Sequence, residues 1–584
     1  MNKHLVLVVV SSLLIILTNQ SFSQQLLTTF EKSNYKNTST YEEGIAFYSA
    51  LANSSAKLKM MERGLTDAGI PLHLVLISKY EDFDIASNKA KGRSILLINN
   101  AIHPGEPDGV EASQMLARDI LEDKKLNKLL DNTLLAIIPF YNIGGALNRN
   151  TGSRTNQNGP AEKGFRGNAR NFDLNRDFIK NDTRNARSFS EIFHELDPDI
   201  LIDTHVSNGA DYQYTLTMVI PQANKLGEPL MSHLDNKLMP SLFEAMANTP
   251  YEMTPYVNVW RSTPNKGWSQ FFDSPRYSSG YAALFQTIGF QSETHMLKSF
   301  EHRTKATYTY LVQSLIYLDE HGKELQEVRK NAKEAVINQK EFPVAWELDR
   351  SDSVMIEHKG YTATYPDSEV SGLPRLKYNR DQPYTMMVPY YNTFKPSVTV
   401  AKPDYYIIPQ VWIRVIKALK RNNVKMFPLE NDTILSVESY FIKDYTSRNR
   451  PYEGHYFHNK VEVEKEQKQV NLRKGDILVP VNQVANRYIV ETLEPEATDS
   501  FFRWNFFDSM LQMKEGFSSY VFEDEAIEIL NNNKNLKEEL EAKKAKDPQF
   551  RESAYAQLQF IFMRSEHQEP SFMHYPVYRL MSKK

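Results

Sequence analysis

Short apolar runs alternate with longer amphipathic stretches through the first half of the chain. Four of these runs are short enough, and rich enough in Leu, Ile and Val, to be buried strands: 72–77, 95–98, 133–138 and 200–202. Between them, apolar residues recur at helical spacing, as at Ala112, Leu116 and Ile120. Strands that alternate with helices predict an α/β fold, with a mixed, largely parallel sheet flanked by helices on both faces.

Two helix starts can be assigned from capping residues. Thr40 is followed three residues later by Glu43, which is the spacing of a capping box, ahead of the apolar residues Ile45 and Leu51. Asp108 precedes the amphipathic stretch after the 95–98 strand, and we expect it to cap that helix. This second helix would support the loop that follows the strand.

Beyond about Lys340 the pattern changes. Pro366 and Pro374 leave no room for a long helix around them, and apolar segments alternate with turns rich in Asn, Pro and Lys. Candidate strands lie at 385–389, 405–409 and 476–480, with a helix at 412–419 and a long polar helix at 523–546. We predict an α/β domain over residues 24–335, followed by a β-rich accessory region with a helical tail over residues 336–584.

The first residues have the pattern of a secretory signal peptide. Lys3 precedes an apolar run at 5–17, which is shorter than the ~20 residues that span a bilayer, and residues 21–23 include the small side chains that a signal peptidase recognises. We predict a signal peptide at 1–23, with export to the periplasm or the medium. No cysteine follows the run, so we expect no stable membrane anchor after cleavage. An uncleaved anchor is the alternative.

Composition limits the chemistry that this chain can use. Its 584 residues are 41% hydrophobic and 24% charged, with a net charge of −3, which gives no electrostatic reason to expect nucleic acid or an anionic membrane as a partner. The sequence contains no cysteine. Disulfides, thiolate metal ligands and cysteine nucleophiles are therefore excluded, and any metal must be held by histidine and carboxylate side chains.

A histidine and a glutamate follow the second predicted strand. Pro104, Gly105 and Pro107 prevent regular helix there, so His103 and Glu106 lie on a loop at the carboxyl end of the strand, where α/β sheets bind ligands. Two such groups three residues apart can hold one metal ion. The same spacing recurs at 321–324, but that copy lies in a polar run, and we interpret it as a solvent-facing helix surface.

The 200–202 strand also ends in a histidine, His205. With His103 and Glu106 it would provide three nitrogen and oxygen ligands and leave a fourth position for water, which is typical of catalytic zinc sites. The alternative is a histidine that is bonded to backbone at the end of its strand. The occurrence of the same arrangement at two strand ends favours the metal site.

Polar residues are unusually dense at 165–178, which includes the pattern D-x-N-R from Asp173 to Arg176. Together with H-x-x-E, a distant strand-end histidine and a later glutamate, this stretch resembles the zinc carboxypeptidase family of metallopeptidases over about residues 26–330. By that resemblance, Asp173 orients His103, while Asn175 and Arg176 bind the terminal carboxylate of a peptide. Arginine in such a position suits carboxylate recognition.

The resemblance also implies an arginine that holds the scissile carbonyl oxygen. Arg166, seven residues before Asp173, matches the position that bacterial members use. Arg149 and Arg154 are nearby alternatives. All three remain candidates at this stage.

A carboxylate beside the metal is still needed, and Glu293 provides one at the end of a short strand-like segment. We assign it as general base and then general acid, because a buried, metal-bearing cleft can raise its pKa toward neutrality. His295 is the competing candidate, against which the family pattern favours Glu293. Upstream, Tyr277 resembles the substrate-binding tyrosine of the family, and Tyr281 is the alternative.

These assignments predict a zinc metallocarboxypeptidase with one zinc ion per chain, acting on peptides with a free C-terminal carboxylate. An N-acyl amino acid or peptidoglycan-stem amidase on the same scaffold is the alternative enzyme, since related folds use the same ligands on other amides. A binding protein without turnover is the alternative from another class. No residue in the sequence identifies the floor of a specificity pocket, so the side-chain preference stays open.

Overall fold

The computed structural model describes residues 26–581. The predicted signal peptide at 1–23 lies outside this range and stays a prediction. None of the helices in the described range combines the length and the apolar character needed to cross a bilayer.

The first half of the described chain is a mixed α/β structure. Its strands are β1 (Leu58–Leu65), β2 (Pro71–Ile77), β3 (Ser94–Asn99), β4 (Thr133–Ile138), β5 (Ile200–Ser207), β6 (Leu216–Val219), β7 (Met253–Pro255), β8 (Trp268–Ser269) and β9 (Ile288–His295). Its helices are α1 (Thr29–Lys32), α2 (Tyr41–Ser54), α3 (Ile85–Ala90), α4 (Asp108–Glu122), α5 (Lys124–Lys128), α6 (Ile143–Leu147), α7 (Arg184–Leu196), α8 (Ala223–Leu226), α9 (Leu230–His233), α10 (Met239–Ala247), α11 (Ser278–Ala283) and α12 (Phe300–Asn338). A π-helical segment (Leu234–Leu238) and two 3-10 turns (Leu174–Arg176 and Pro264–Lys266) complete it. The predicted α/β class is confirmed.

Within residues 26–581, eight strands form the central sheet, in the order β1-β2-β4-β3-β5-β9-β6-β7. The strands β4, β3, β5 and β9 are parallel neighbours, while β2 and β6 flank them in antiparallel pairing. The carboxyl ends of these four strands therefore meet at one edge of the sheet. At that edge, His205 on β5 lies directly beside Glu293 on β9 in the strand register.

Helices bury both faces of the parallel strands. On one face, Ala112 of α4 and Leu315 of α12 share a core with Ile98. On the other, Phe189 of α7 packs in a core with Leu97. Successive residues of a strand point to opposite faces, so a strand that is covered on both must be apolar throughout. This explains the continuous apolar run of β3.

The two predicted helix starts have different outcomes. The Thr40 hydroxyl accepts from the Glu43 amide and the Glu43 carboxylate accepts from the Thr40 amide, so the predicted capping box is confirmed. The prediction for Asp108 is wrong, because Pro107 occupies the cap position and Asp108 is the first helical residue. Its carboxylate pairs instead with the buried guanidinium of Arg303, at 2.9 Å. A buried arginine needs a counter-charge. Because Asp108 supplies that charge to Arg303, its carboxylate does not cap the helix.

The second half is rich in β structure, as predicted. Its strands are β10 (Glu341–Leu348), β11 (Val354–Thr364), β12 (Lys377–Tyr391), β13 (Phe394–Ala401), β14 (Tyr405–Ile408), β15 (Phe427–Pro428), β16 (Thr433–Ser447), β17 (His458–Leu472), β18 (Ile477–Pro480) and β19 (Tyr578–Leu580). Its helices are α13 (Ile413–Arg421), α14 (Asn486–Leu493), α15 (Ser519–Asn532), α16 (Lys534–Lys546), α17 (Pro548–Arg551) and α18 (Ala554–Phe562), with a 3-10 turn at Asp508–Leu511. The strands β15-β18-β14-β19-β16-β17 form a sheet in that order, and β11 and β12 form a long hairpin whose edge pairs with β8.

The two halves share one hydrophobic core. Phe285, just after α11, packs against Tyr488 of α14 with ring centroids 5.4 Å apart, and both belong to a core that also includes Val344 of β10. The helix α12 continues to Asn338 and so passes through the predicted boundary at residue 335. The division into 24–335 and 336–584 stays a prediction, but the contact between the halves is extensive and apolar.

Two more of the predicted helical segments lie on α12 and on α15 and α16. The second H-x-x-E copy lies on α12, where Glu324 is half exposed and pairs with Lys237, as expected for a helix surface. The long polar helix predicted at 523–546 is interrupted at Asn533, so that α15 ends and α16 begins there. The Asn533 side chain accepts from the Leu536 amide at 3.0 Å and caps the second helix. Asparagine competes with the helical backbone in this way.

Candidate active site

Three side chains converge at the carboxyl edge of the sheet. The Nδ1 atoms of His103 and His205 lie 3.2 Å apart. Oε1 of Glu106 lies 3.3 Å from the first of these atoms, and Oε2 lies 3.3 Å from the second. All three residues are buried. Zinc bonds to such ligands are about 2.0–2.1 Å long, and tetrahedral geometry then separates the ligand atoms by about 3.3 Å. The spacing and the chemistry of the donor set therefore fit zinc, and the three residues form a candidate metal cluster.

Each of the two histidines has a carboxylate on its other ring nitrogen. Asp173 forms a hydrogen bond of 2.9 Å with Nε2 of His103, and Asp203 lies at an ion-pair distance of 3.1 Å from Nε2 of His205, without hydrogen-bond geometry. Burial alone would raise the pKa of Asp173, but the charges of His103, Arg166 and others hold it well below its usual range. Carboxylates in these positions fix the ring orientation and tautomer of metal-binding histidines.

Asp203 had no role in the sequence prediction. It precedes His205 by two residues on β5, so both side chains lie on the same face of the strand. That spacing is the signal that could have identified it.

Glu293 lies beside His205 through the β5–β9 register and lines the same cavity as the three candidate ligands. Burial raises its pKa from the usual 4.5 to about 7, with His205 opposing and Glu106 reinforcing the shift. A carboxylate with such a pKa can both accept and release a proton near neutral pH.

His295, the rival of Glu293, is engaged elsewhere. Its Nε2 lies 3.2 Å from the carboxylate of Asp211, and its ring centroid lies 4.2 Å from that of Tyr212. Its Nδ1 accepts from the Leu297 amide at 3.2 Å. Although His295 is on the same strand as Glu293, these contacts direct it away from the candidate ligands.

Two arginines reach the candidate ligands. Arg166 donates to Asp173 at 3.0 Å, and its Nη1 lies 3.4 Å from Glu106 and 3.3 Å from Nδ1 of His103. Arg154 donates to Glu106 at 2.8 Å and to the Val206 carbonyl at 2.6 Å. Arg166 is 43% exposed and Arg154 only 14%, so Arg166 has more freedom to turn toward a substrate. Both border the cavity.

The third arginine candidate, Arg149, lies away from the cluster. It donates to the backbone carbonyls of Thr38, Ser39 and Glu162. These contacts tie a surface loop to the start of the described chain.

The predicted carboxylate-binding residues, Asn175 and Arg176, both lie on the 3-10 turn at Leu174–Arg176. Asn175 donates its amide to Gln291 at 2.9 Å. Arg176 donates to the Asn175 carbonyl at 2.8 Å and lies 4.6 Å above the ring of Tyr277. The alternative tyrosine, Tyr281, is fully buried and bonds to Asn422 of the second half at 2.5 Å. Of the two tyrosines, Tyr277 borders the cavity.

These groups enclose one cavity of about 170 Å³. Eight of the nine predicted site residues line it, and Asp173 lies directly behind His103. Arg154, the alternative to Arg166, also lines the cavity. The remaining lining residues were not included in the sequence prediction: Val206, Ser207, Asn208, Val219, Tyr256, Trp260, Phe271 and Gln291. Gln291 precedes Glu293 by two residues on β9, which is a usable signal, whereas nothing in the sequence singled out Tyr256.

The comparisons with known proteins agree with this chemistry. Residues 44–199 match the family model described as zinc carboxypeptidase. Carboxypeptidase 2 of Trichophyton rubrum is 23% identical over 420 residues, which cover 69% of this chain and 72% of that protein. Carboxypeptidase 2 of Trichophyton tonsurans is 23% identical over 430 residues, with the same coverage.

Among solved structures, the metallo-carboxypeptidase of Burkholderia cenocepacia aligns with a TM-score of 0.36 and 17% identity, covering 48% of this chain and 69% of that chain. The family match and the curated relatives support a zinc metallopeptidase of the carboxypeptidase type. Zinc is the metal of that family, and His103, Glu106 and His205 form the candidate site for it.

Proposed function

We propose that this zinc metallopeptidase removes the last residue from peptides with a free C-terminal carboxylate. The observation that carries the proposal is the position of Arg176 and Asn175, which line the same small cavity as Glu293 and the three candidate ligands. A peptide whose carboxylate is held by Arg176 would therefore place its last peptide bond near Glu293. Arginine pairs strongly with carboxylates because its N–H groups match their geometry.

His103, Glu106 and His205 would hold zinc, with Asp173 and Asp203 fixing the two imidazoles. When bound, zinc supplies Lewis-acid chemistry, which activates water as a nucleophile and polarises the carbonyl of the scissile bond. Zinc ligation requires neutral imidazoles and an ionised carboxylate. Burial opposes ionisation of Glu106, but the charges of Arg154 and His103 hold the pKa of its carboxylate well below the usual range.

Glu293 moves the proton in the proposed reaction. Its ionised carboxylate accepts a proton from the attacking water, and the protonated acid then gives that proton to the amine nitrogen as the C–N bond breaks. Burial raises the pKa of Glu293 above the usual value of a carboxylate, which suits both steps, because the group must be ionised before attack and acidic afterwards. Neither His295 nor another carboxylate among the described cavity-lining residues offers an equivalent group.

The developing negative charge on the carbonyl oxygen needs a cation. Arg166 is the proposed partner, because it borders the cavity and is exposed enough to reorient. Arg154 is held by Glu106 and by the Val206 carbonyl, and its fixed charge adds to the positive potential of the site. Prearranged charge of this kind lowers the barrier most in a site that excludes water.

The proposal is tested with pairs of peptides that differ only in having a C-terminal acid or amide. A charged hydrogen bond is worth about 1.5–3 kcal/mol, so the amide should lower kcat/KM by about 10- to 150-fold. Mass spectrometry of the products should show loss of single C-terminal residues. Equal cleavage of both forms would contradict the proposal and favour the amidase alternative.

We also propose that the protein is exported and acts in the periplasm or outside the cell. Support comes from the sequence alone, in Lys3, the apolar run at 5–17 and the small residues at 21–23. N-terminal sequencing of the mature protein from culture fractions tests this proposal. A first residue near position 24 is expected, whereas an intact N-terminus in the membrane fraction would contradict it.

A further inference from the structure

The second half of the chain reaches the candidate active site through one tight turn. Between β16 and β17, Tyr452 and His455 bond to each other through both backbone N–H and C=O groups, at 2.8 and 3.0 Å. We refer to residues 452–455 as the site-facing turn. Glu453 has a φ of +49° and Gly454 a φ of +77°. The first of these is an unusual conformation for a residue with a side chain, so the turn must be held by its surroundings.

The site-facing turn is fixed against the loop that carries Asp173. A Cβ atom on Gly454 would lie 2.9 Å from the ring of Phe172, so only glycine fits here without movement. On the other side of the turn, Nε2 of His455 lies 2.6 Å from the carboxylate of Asp182. Contacts on both sides thus fix the position of Glu453.

Glu453 accepts a hydrogen bond from the backbone amide of Asp173 at 2.8 Å. Asp173 is the residue whose carboxylate orients His103, and the same carboxylate also accepts from the Asn175 amide at 3.0 Å and from Arg166. One backbone position therefore controls a metal ligand and two groups of the cleft. A carboxylate placed close to a second carboxylate is unfavourable on its own, and the hydrogen bond from the Asp173 amide offsets that repulsion.

We infer that Glu453 is a positioning residue for the metal centre, which acts by holding the Asp173 backbone so that the Asp173 carboxylate keeps His103 in its metal-binding orientation. The accessory region is then part of the active site. The inference depends on the metal-binding part of the proposed function and is independent of the substrate.

Zinc affinity of the full-length protein tests the inference directly. The dissociation constant is measured by competition with a chromophoric chelator for the wild type, Glu453→Ala, Glu453→Gln and the control Glu464→Ala. Loss of a group that orients a ligand typically weakens zinc binding about 10- to 100-fold. We therefore expect the zinc dissociation constant of Glu453→Ala to be about tenfold higher than that of the wild type. Glu453→Gln keeps an acceptor oxygen and should stay within about threefold of the wild type. Glu464 is exposed on β17 and pairs with Lys443, so its removal should change nothing.

A second measurement separates positioning from general loss of structure. At saturating zinc, Glu453→Ala should lower kcat while KM for a peptide stays within about threefold, and Glu453→Gln should restore kcat. Thermal unfolding and near-ultraviolet circular dichroism identify a variant that has not folded. Glu453→Asp, which shortens the side chain by one methylene, then replaces the alanine variant and should show an intermediate zinc affinity.

Wild-type zinc affinity in a folded Glu453→Ala protein would overturn the inference. So would equal weakening by the alanine and glutamine variants, since that result would require the charge instead of the hydrogen bond. If the wild type cleaves no peptide, the proposed function fails, but the zinc series still decides the role of Glu453.

Discussion

Replacing Glu293 by glutamine should greatly reduce turnover and, at the same time, stabilise the metal-free protein. The change keeps the size of the side chain and removes its charge. A general acid–base group contributes about 10²- to 10⁴-fold to the rate, so kcat should fall by at least two orders of magnitude. Zinc content should be retained because Glu293 is separate from His103, Glu106 and His205.

The stabilisation follows from the pKa of Glu293. Its pKa is 4.5 when exposed and about 7 in the folded protein, so the folded state binds more protons than the unfolded state between these values. Stability therefore falls as pH rises through this window. At 1.36 kcal/mol per pH unit, titration of Glu293 lowers the stability of the fold, relative to acid pH, by about 3 kcal/mol at pH 8 and by about 1 kcal/mol at pH 5.

Urea unfolding in the presence of a chelator measures this difference. Glu293→Gln should exceed the wild type in unfolding free energy by about 3 kcal/mol at pH 8 and by much less at pH 5. Glu327→Gln, on the exposed face of α12, is the matched control and should leave the unfolding free energy unchanged at both pH values. A glutamine variant that is no more stable than the wild type at pH 8 would refute the argument that burial holds the pKa near 7.

Three other predictions concern the metal, the substrate and pH. His205→Ala should lose the zinc that the wild type carries, at about one ion per chain by elemental analysis, while circular dichroism stays unchanged; retained zinc would contradict the ligand assignment. Arg176→Ala should cleave acid and amide peptides about equally, whereas the nearby exposed control Arg170→Ala should keep the preference of the wild type. The acid limb of the kcat/KM profile should have its midpoint between pH 4.5 and about 7, because the zinc charge lowers the pKa of Glu293 from its metal-free value. A midpoint above about pH 7 would assign the role of the base to another group.

The candidate ligands were predictable because their signals are local. His103 and Glu106 follow an apolar run and are separated by residues that forbid a helix, and His205 ends another apolar run. Parallel strands bring such ends to one edge, so the sequence pattern also predicts their proximity. The α/β class follows from the same alternation of runs.

Other features depend on contacts between distant residues, which no local pattern contains. Glu453 is separated from Asp173 by 280 positions, and its turn has no ligand-like motif. The cap assigned to Asp108 was wrong for a similar reason, because the competing partner Arg303 lies 195 positions away. The different positions of the two candidate tyrosines are also set by packing: Tyr277 precedes the short helix α11 and borders the cavity, whereas Tyr281 is buried within that helix.

The shared core has a consequence for the order of events during synthesis. When the ribosome has produced only the first 335 residues, the chain already contains every candidate metal ligand and Glu293, but it lacks Tyr488, against which Phe285 packs, and Glu453. Apolar surface on that side of the α/β half stays open until the second half has emerged and docked. In such a chain the candidate active site is completed only after the second half has docked, when the whole chain is available to fold.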